Sequence, residues 1–241
     1  MHFLSEVLHW FTTRANWTGS SGIPELLWQT IKLSLAVVAS ATVIGGALGA
    51  VAGHTGRGSI AAVNAANAAR AIPTLALLTL LAVVPAISIK WGGFLAAYLA
   101  LVALAIPPIL TNTYVGMREV DADVREAASA MGMTGFQVFR RAELPLALPF
   151  IGAGVRTAAI EVVATSTLAA YVSYSDLGTY VLSGLASQDN VEAFGGSVLV
   201  AALAGLVALA LAGVQRLLVP APLRAAAGGR RRARRLGGAV V

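Results

Sequence analysis

The chain has no cysteine, which excludes a disulfide framework, a thiolate metal site and a cysteine nucleophile. Histidine is nearly absent. His2, His9 and His54 are scattered and suit neither a His-rich metal site nor a conventional triad. Lysine occurs only at Lys32 and Lys90, and neither belongs to a G-x-x-x-x-G-K-[ST] phosphate loop. No catalytic, metal or cofactor site is expected. Charge is scarce, at 12% of 241 residues, where a soluble domain carries about 25%. Glycine and proline are near their usual abundance, which excludes collagen-like and low-complexity chains.

What is present is apolar: 57% of residues, more than one soluble core of this size can hide. The apolar residues gather in five blocks, 26–53, 60–87, 91–112, 146–171 and 195–218. Each reaches roughly the 20 residues that cross about 30 Å of hydrocarbon. The expectation is an all-α membrane protein with about five transmembrane helices. Its organisation reads as an interfacial segment at 1–22, a membrane domain at 23–219 and an Arg-rich tail at 220–241. In the first segment Phe3, Leu4, Val7, Leu8 and Phe11 share one helical face, and Trp10 and Trp17 suit a membrane–water boundary.

Orientation follows from the basic residues. Arg57, Arg118, Arg125, Arg140, Arg141 and the tail arginines Arg224, Arg230, Arg231, Arg232, Arg234 and Arg235 fall on one side. Only Arg14, Lys32 and Lys90 fall on the other. The N-terminus is expected outside and the C-terminus in the cytoplasm. The tail reads as an anchor on anionic lipid headgroups rather than a nucleic-acid site. Gly45, Gly49 and Gly53 recur every fourth residue, a small-xxx-small stripe that lets helix backbones approach closely. Pro73, Pro107 and Pro108 interrupt spans, where freed carbonyls need protein or water partners.

The cytoplasmic stretch 113–143 is different in kind. Asp123, with Glu126 three residues on, is expected to cap a helix over Ala127, Ala128 and Ala130. Gly132 can close it in a left-handed conformation. Phe136, Val138 and Phe139 open a second short helix that Pro145 is expected to stop. Met131, Met133 and Phe136 would be exposed apolar groups rimmed by charge, the mark of a protein interface. The alternative is that they tuck against the spans.

Glu126-Ala127-Ala128, then Gly132 after three residues, and Leu144-Pro145 at the end of the loop resemble the EAA motif of ABC importer permeases. The one departure is Ala142, where that motif has a larger aliphatic side chain. Further runs resemble the osmoprotectant subfamily: Ala71-Ile72-Pro73-Thr74-Leu75-Ala76-Leu77-Leu78, Thr111-Asn112-Thr113-Tyr114-Val115-Gly116, Glu143-Leu144-Pro145-Leu146-Ala147-Leu148-Pro149, Gly154-Val155-Arg156-Thr157-Ala158 and Thr167-Leu168-Ala169-Ala170-Tyr171. The resemblance covers residues 26–218 and implies a type I importer permease for glycine betaine, choline or carnitine. It departs at Ser173-Tyr174-Ser175-Asp176-Leu177-Gly178, where the subfamily carries a Gly-rich run of the type Gly-Ala-Gly-Gly-Leu-Gly.

The resemblance implies partners: ABC ATPase subunits docked on Glu126, Ala127, Ala128, Met131, Gly132 and Phe136, an extracytoplasmic binding protein, and a second permease copy or a related permease. Within the spans, Arg70, Arg156 and Glu161 are expensive to bury, so each is a pathway candidate, and Arg156 matches an arginine of the family. Arg70 is expected about 15 Å deep and Glu161 about 18 Å deep at 1.5 Å per residue, which permits a pair. Glu161 either lines the pathway as an anionic stop for a quaternary ammonium group or pairs with Arg70 and only fixes helix packing. Tyr171, Tyr174 and Tyr180 either stack on a cation or sit in an ordinary interfacial belt. Asp176, Asp189 and Glu192 form an outer acidic loop, a binding-protein contact or simply solvated. Rival readings are a permease for an amino acid or phosphonate, a non-transporting membrane scaffold, and a secondary carrier. A carrier would usually show two repeated halves, and none is visible.

Overall fold

The computed structural model describes residues 2–56, 64, 68 and 70–218. The described residues form helices and connecting turns, with no strand among them. Helix α1 (His2–Thr12) is followed by a 3₁₀ turn (Arg14–Trp17), α2 (Ile23–Thr55), α3 (Thr74–Val83) and α4 (Pro85–Arg118). Then come α5 (Ala122–Ala130), α6 (Gly135–Val138), a π-turn (Phe139–Glu143) and α7 (Leu144–Ser166). A 3₁₀ segment (Thr167–Val172), α8 (Gly178–Ser187) and α9 (Asn190–Leu218) complete the order.

Four helical stretches are long and apolar enough to cross a membrane: Ile23–Thr55, Gly93–Arg118, Gly135–Val172 and Asn190–Leu217. The expected span over 60–87 differs. Residues 60–63, 65–67 and 69 lie outside the described residues; beyond them come a turn at 70–72, the ten-residue α3 and, from Pro85, the start of α4. The cause is local. Val84 is extended (φ −69°, ψ 116°), as a residue before proline prefers, and Pro85 starts a new helix at its first turn. Arg57 and the tail arginines also fall outside the described residues.

Helix α4 is central and packs on α2, α3 and α7. Ala96, Ala97, Ala100, Leu101, Ala105 and Ile109 on it are fully buried. Lipid chains are as apolar as leucine, so helices must gain from close packing rather than from escape from water. The glycines supply that closeness. A Cβ at Gly45 would stand 2.9 Å from the Ile106 carbonyl oxygen, and one at Gly49 would stand 2.5 Å from that of Leu110. Gly53 packs against Met117 in the same way. From the other side Gly154 of α7 meets Pro108 and Asn112. The Pro107–Pro108 segment of α4 is thus enclosed by protein, the setting a proline pair needs at membrane depth. Asn112 Nδ2 donates to the Pro108 carbonyl at 2.8 Å.

Helix α9 leaves Leu206, Leu209 and Leu217 largely exposed, as a lipid-facing helix would. Helix α1 lies on α9: Phe3 meets Phe194 edge-on at 5.4 Å and Trp10 covers Gly195. Trp10 also meets Tyr180 of α8 at 5.2 Å.

Candidate functional site

Between α4 and α7 the chain leaves the bundle and returns as a helical hairpin. The N-cap of α5 is Asp121, not the expected Asp123; its carboxylate accepts from the Asp123 amide at 3.3 Å. The cap thus begins two residues earlier, where Asp121 can reach the second amide of the first turn. At the other end Gly132 takes φ +82°. Its amide bonds to Ser129 at 2.9 Å and the Met133 amide bonds to Ala128 at 3.2 Å, a Schellman closure. Thr134 and Gln137 form a reciprocal capping box that starts α6.

The second short helix does not stop at Pro145. Gly135–Val172 is one continuous helical stretch. Pro145 stands second in α7, directly after the widened π-turn, which relieves the clash its ring would make with a carbonyl of an unbroken α-helix. The Leu144 amide bonds to the Phe139 carbonyl, five residues back.

Glu126 and Ala127 are exposed on α5, while Ala128 is buried beneath it. Met131 and Phe136 stand 72% and 68% exposed at the hairpin tip, and Met133 is half-buried. Below the tip lies a charge cluster that sequence reasoning missed. Glu143, in the π-turn, is 2% exposed. Its Oε1 lies 2.9 Å from Arg125 Nε of α5, and its Oε2 lies 2.5 Å from His54 Nδ1 in the last turn of α2. Arg125 Nη2 donates to the Met117 carbonyl near the end of α4 at 2.5 Å. The His54 ring packs edge-on to Phe139 at 5.4 Å, and Phe139 stacks on Phe136 at 6.2 Å. In the sequence, His54 is a lone histidine, Arg125 a topology charge and Glu143 motif spacing. The available signal was a carboxylate abutting an apolar span.

The intramembrane candidates do not converge. Arg70 is exposed in the turn before Pro73, and no ion pair among the described residues joins it to Glu161. Arg156 is exposed on α7 and Glu161 is half-buried there. Tyr171 is exposed at the far end of the same stretch.

At the end of the bundle away from the hairpin, the acidic loop is not uniformly solvated. Asp189 caps α9, accepting from the Val191 and Glu192 amides at 3.0 Å each. Glu192 takes a hydrogen bond from Ser183. Asp176 is fully buried and burial pushes its carboxyl up to about 7, although the Gly178 amide donates to it at 2.9 Å and pulls the other way. Tyr174 donates to the Gln29 carbonyl at 3.1 Å; burial, then the charges of Asp176 and Glu25, raise its phenol to about 12. Tyr180 is buried and donates to the Ser21 carbonyl at 2.6 Å. Tyr174 and Ser175 join Gly19, Ser20, Glu25 and Gln29 around an open cavity of about 550 Å³.

Residues 41–224 match the family described as the binding-protein-dependent transport system inner membrane component. The chain belongs to that family. This inner membrane component is a multi-pass membrane protein. It is similar to the glycine betaine/carnitine/choline transport system permease protein OpuCB of Bacillus subtilis (strain 168), 36% identical over 132 residues, 55% of this chain and 61% of that protein. It is 37% identical over 134 residues to the carnitine transport permease protein OpuCB of Listeria monocytogenes, 56% of this chain and 62% of that protein. It is 38% identical over 132 residues to the choline transport system permease protein OpuBB of Bacillus subtilis, 55% of this chain and 61% of that protein. The chain thus spans about three fifths of the length of the curated relatives it matches. Its fold is that of an inward-facing structure of the MetNI methionine ABC transporter, with TM-score 0.70 at 24% identity over 80% of this chain and 94% of that one. An amino acid ABC transporter structure matches with TM-score 0.63 at 20% identity, over 81% of this chain and 91% of that one.

Proposed function

We propose that this inner membrane component is the permease subunit of an ATP-binding-cassette importer, and that its solute is a quaternary-ammonium osmoprotectant such as glycine betaine, choline or carnitine. The observation that carries the importer role is the hairpin between α4 and α7. It projects Glu126, Met131 and Phe136 from a rigidly capped turn at Gly132, and an exposed apolar tip of that kind needs a partner. That partner is an ATPase subunit, since the chain carries no phosphate loop of its own. ATP-driven closure of two such subunits would rock the spans as rigid bodies. A separate extracytoplasmic protein delivers the solute, and a second permease copy or a related permease completes the pathway. The solute class is supported by the relatives' names and by the runs that resemble the osmoprotectant subfamily.

The hairpin faces the cytoplasm, with the N-terminus outside and the Arg-rich tail inside, because arginine concentrates on the hairpin side of the spans. Glu161 is the residue assigned to the pathway. It is half-buried in α7 with no ion-pair partner among the described residues, so its charge is available to meet a cationic solute. The test is to purify the tagged permease with its ATPase and to measure uptake by vesicles carrying Glu161→Gln. Retained assembly with lost uptake supports the pathway role. Lost assembly removes it, and a wild-type chain that binds no ATPase removes the importer role.

A further inference from the structure

We infer that Glu143 is the positioning residue that couples the cytoplasmic hairpin to the membrane helices, through its link to Arg125 and His54; this rests on the importer reading above. A carboxylate that is 2% exposed is costly unless paired, and removing one partner of such a cluster leaves an uncompensated charge. The three residues come from three separate places. His54 ends α2, Arg125 lies in the middle of α5, and Glu143 lies where the π-turn enters α7. Arg125 adds a fourth by its bond to the Met117 carbonyl of α4. One carboxylate therefore gathers the cytoplasmic ends of three long helices and the short helix that an ATPase would push.

The π-turn explains why Glu143 points there. One extra residue in the turn rotates the downstream helix by about 100° relative to an uninterrupted α-helix. Without it, the side chain at 143 would be turned by about that angle from its partners on α2 and α5. Helix α5 has nine residues and is flanked by turns on both sides, so its backbone connections alone would let it tilt independently of the spans. Its deep attachments are Ala128, which is small, and the Arg125 side chain, which is ion-paired with Glu143 and hydrogen-bonded to the Met117 carbonyl. A displacement of α5 then reaches α2, α4 and α7 through Arg125 and Glu143, while Phe136 and Phe139 carry the tip onto the His54 ring. Coupling of this kind needs a linked element, not a direct contact with solute.

The test uses the assembled transporter in lipid vesicles. Because the chain has no cysteine, Leu35→Cys in the half of α2 far from His54 gives one labelling site per chain for an environment-sensitive fluorophore, attached before the ATPase is added. Two readouts are taken: ATPase subunits retained on the tagged permease, and the change in label fluorescence on adding ATP. Glu143→Gln keeps the shape and removes the charge. The double variant Arg125→Gln with Glu143→Gln also removes the stranded cation, so a merely structural defect is relieved in it. Both variants are expected to hold the ATPase as wild type does, while the label response falls about tenfold, within the usual range of coupling between sites. A response at least half that of wild type in either variant overturns the inference. So does loss of the ATPase from both variants, or a wild-type complex whose label never responds. A wild-type chain that retains no ATPase overturns the importer reading itself, which separates the two failures.

Discussion

Replacing Asp176 by asparagine should make the protein more stable above neutral pH and leave it nearly unchanged in acid. Asp176 is fully buried in the loop that joins the Thr167–Val172 segment to α8, and its Oδ2 has no hydrogen-bond partner. Burial raises the carboxyl from 3.8 to about 7. A group whose folded value is raised contributes stability that is complete below the unfolded value and is lost as pH climbs through the folded one. Here that window runs from near pH 4 to near pH 7. Over it the native state loses roughly 4 kcal/mol relative to a side chain that stays neutral, of which roughly 2–3 kcal/mol falls between pH 5 and pH 8. Asparagine keeps an oxygen for the Gly178 amide and never ionises. The assay is the thermal unfolding midpoint of wild type and Asp176→Asn in detergent micelles across pH 5 to 8. The gap between them should widen with pH in favour of the variant. A gap that stays constant, or that favours wild type at pH 8, would refute the burial argument.

Gly49→Val should separate α2 from α4, because a Cβ there would stand 2.5 Å from the Leu110 carbonyl oxygen and 2.8 Å from Thr113 Cβ; a loss of about 1–3 kcal/mol would lower the unfolding midpoint. Ser173 holds φ +63°, a backbone that glycine adopts without strain, so Ser173→Gly should stabilise the fold by about 1 kcal/mol and raise the midpoint in the same assay. Phe136→Ala should weaken ATPase retention by about 2 kcal/mol, roughly thirtyfold in affinity, if its exposed ring is an interface anchor; titration of the purified ATPase against the permease in nanodiscs measures it.

Much of this fold was legible because membrane helices announce themselves by composition, and because the stripe of Gly45, Gly49 and Gly53 lies on the face that meets α4. The Gly132 turn was legible for the same kind of reason, since its requirement is local. Competing local signals were harder to rank. Asp121 and Asp123 are both able to cap α5, and only the backbone path selects Asp121. Pro145 serves equally as a stop or as a first-turn residue, and the π-turn decides between them. Block 60–87 has the composition of a span, yet Pro73 and Pro85 divide it. The Glu143 cluster left one weak mark, a carboxylate abutting an apolar span, and its partners left none. His54 is 89 residues from Glu143 in the chain, and nothing in their neighbourhoods marks them as partners. Asp176 was concealed differently: flanked by Ser175 and Leu177 it reads as a surface loop, and its burial comes from the loop folding onto Thr30 of α2.

The most direct test is uptake of radiolabelled glycine betaine, choline and carnitine by osmotically stressed cells that carry or lack this permease. The account predicts that removing the permease abolishes uptake of at least one of the three and that restoring it brings uptake back. Equal uptake of all three with and without the permease would contradict the assignment of an osmoprotectant as its solute.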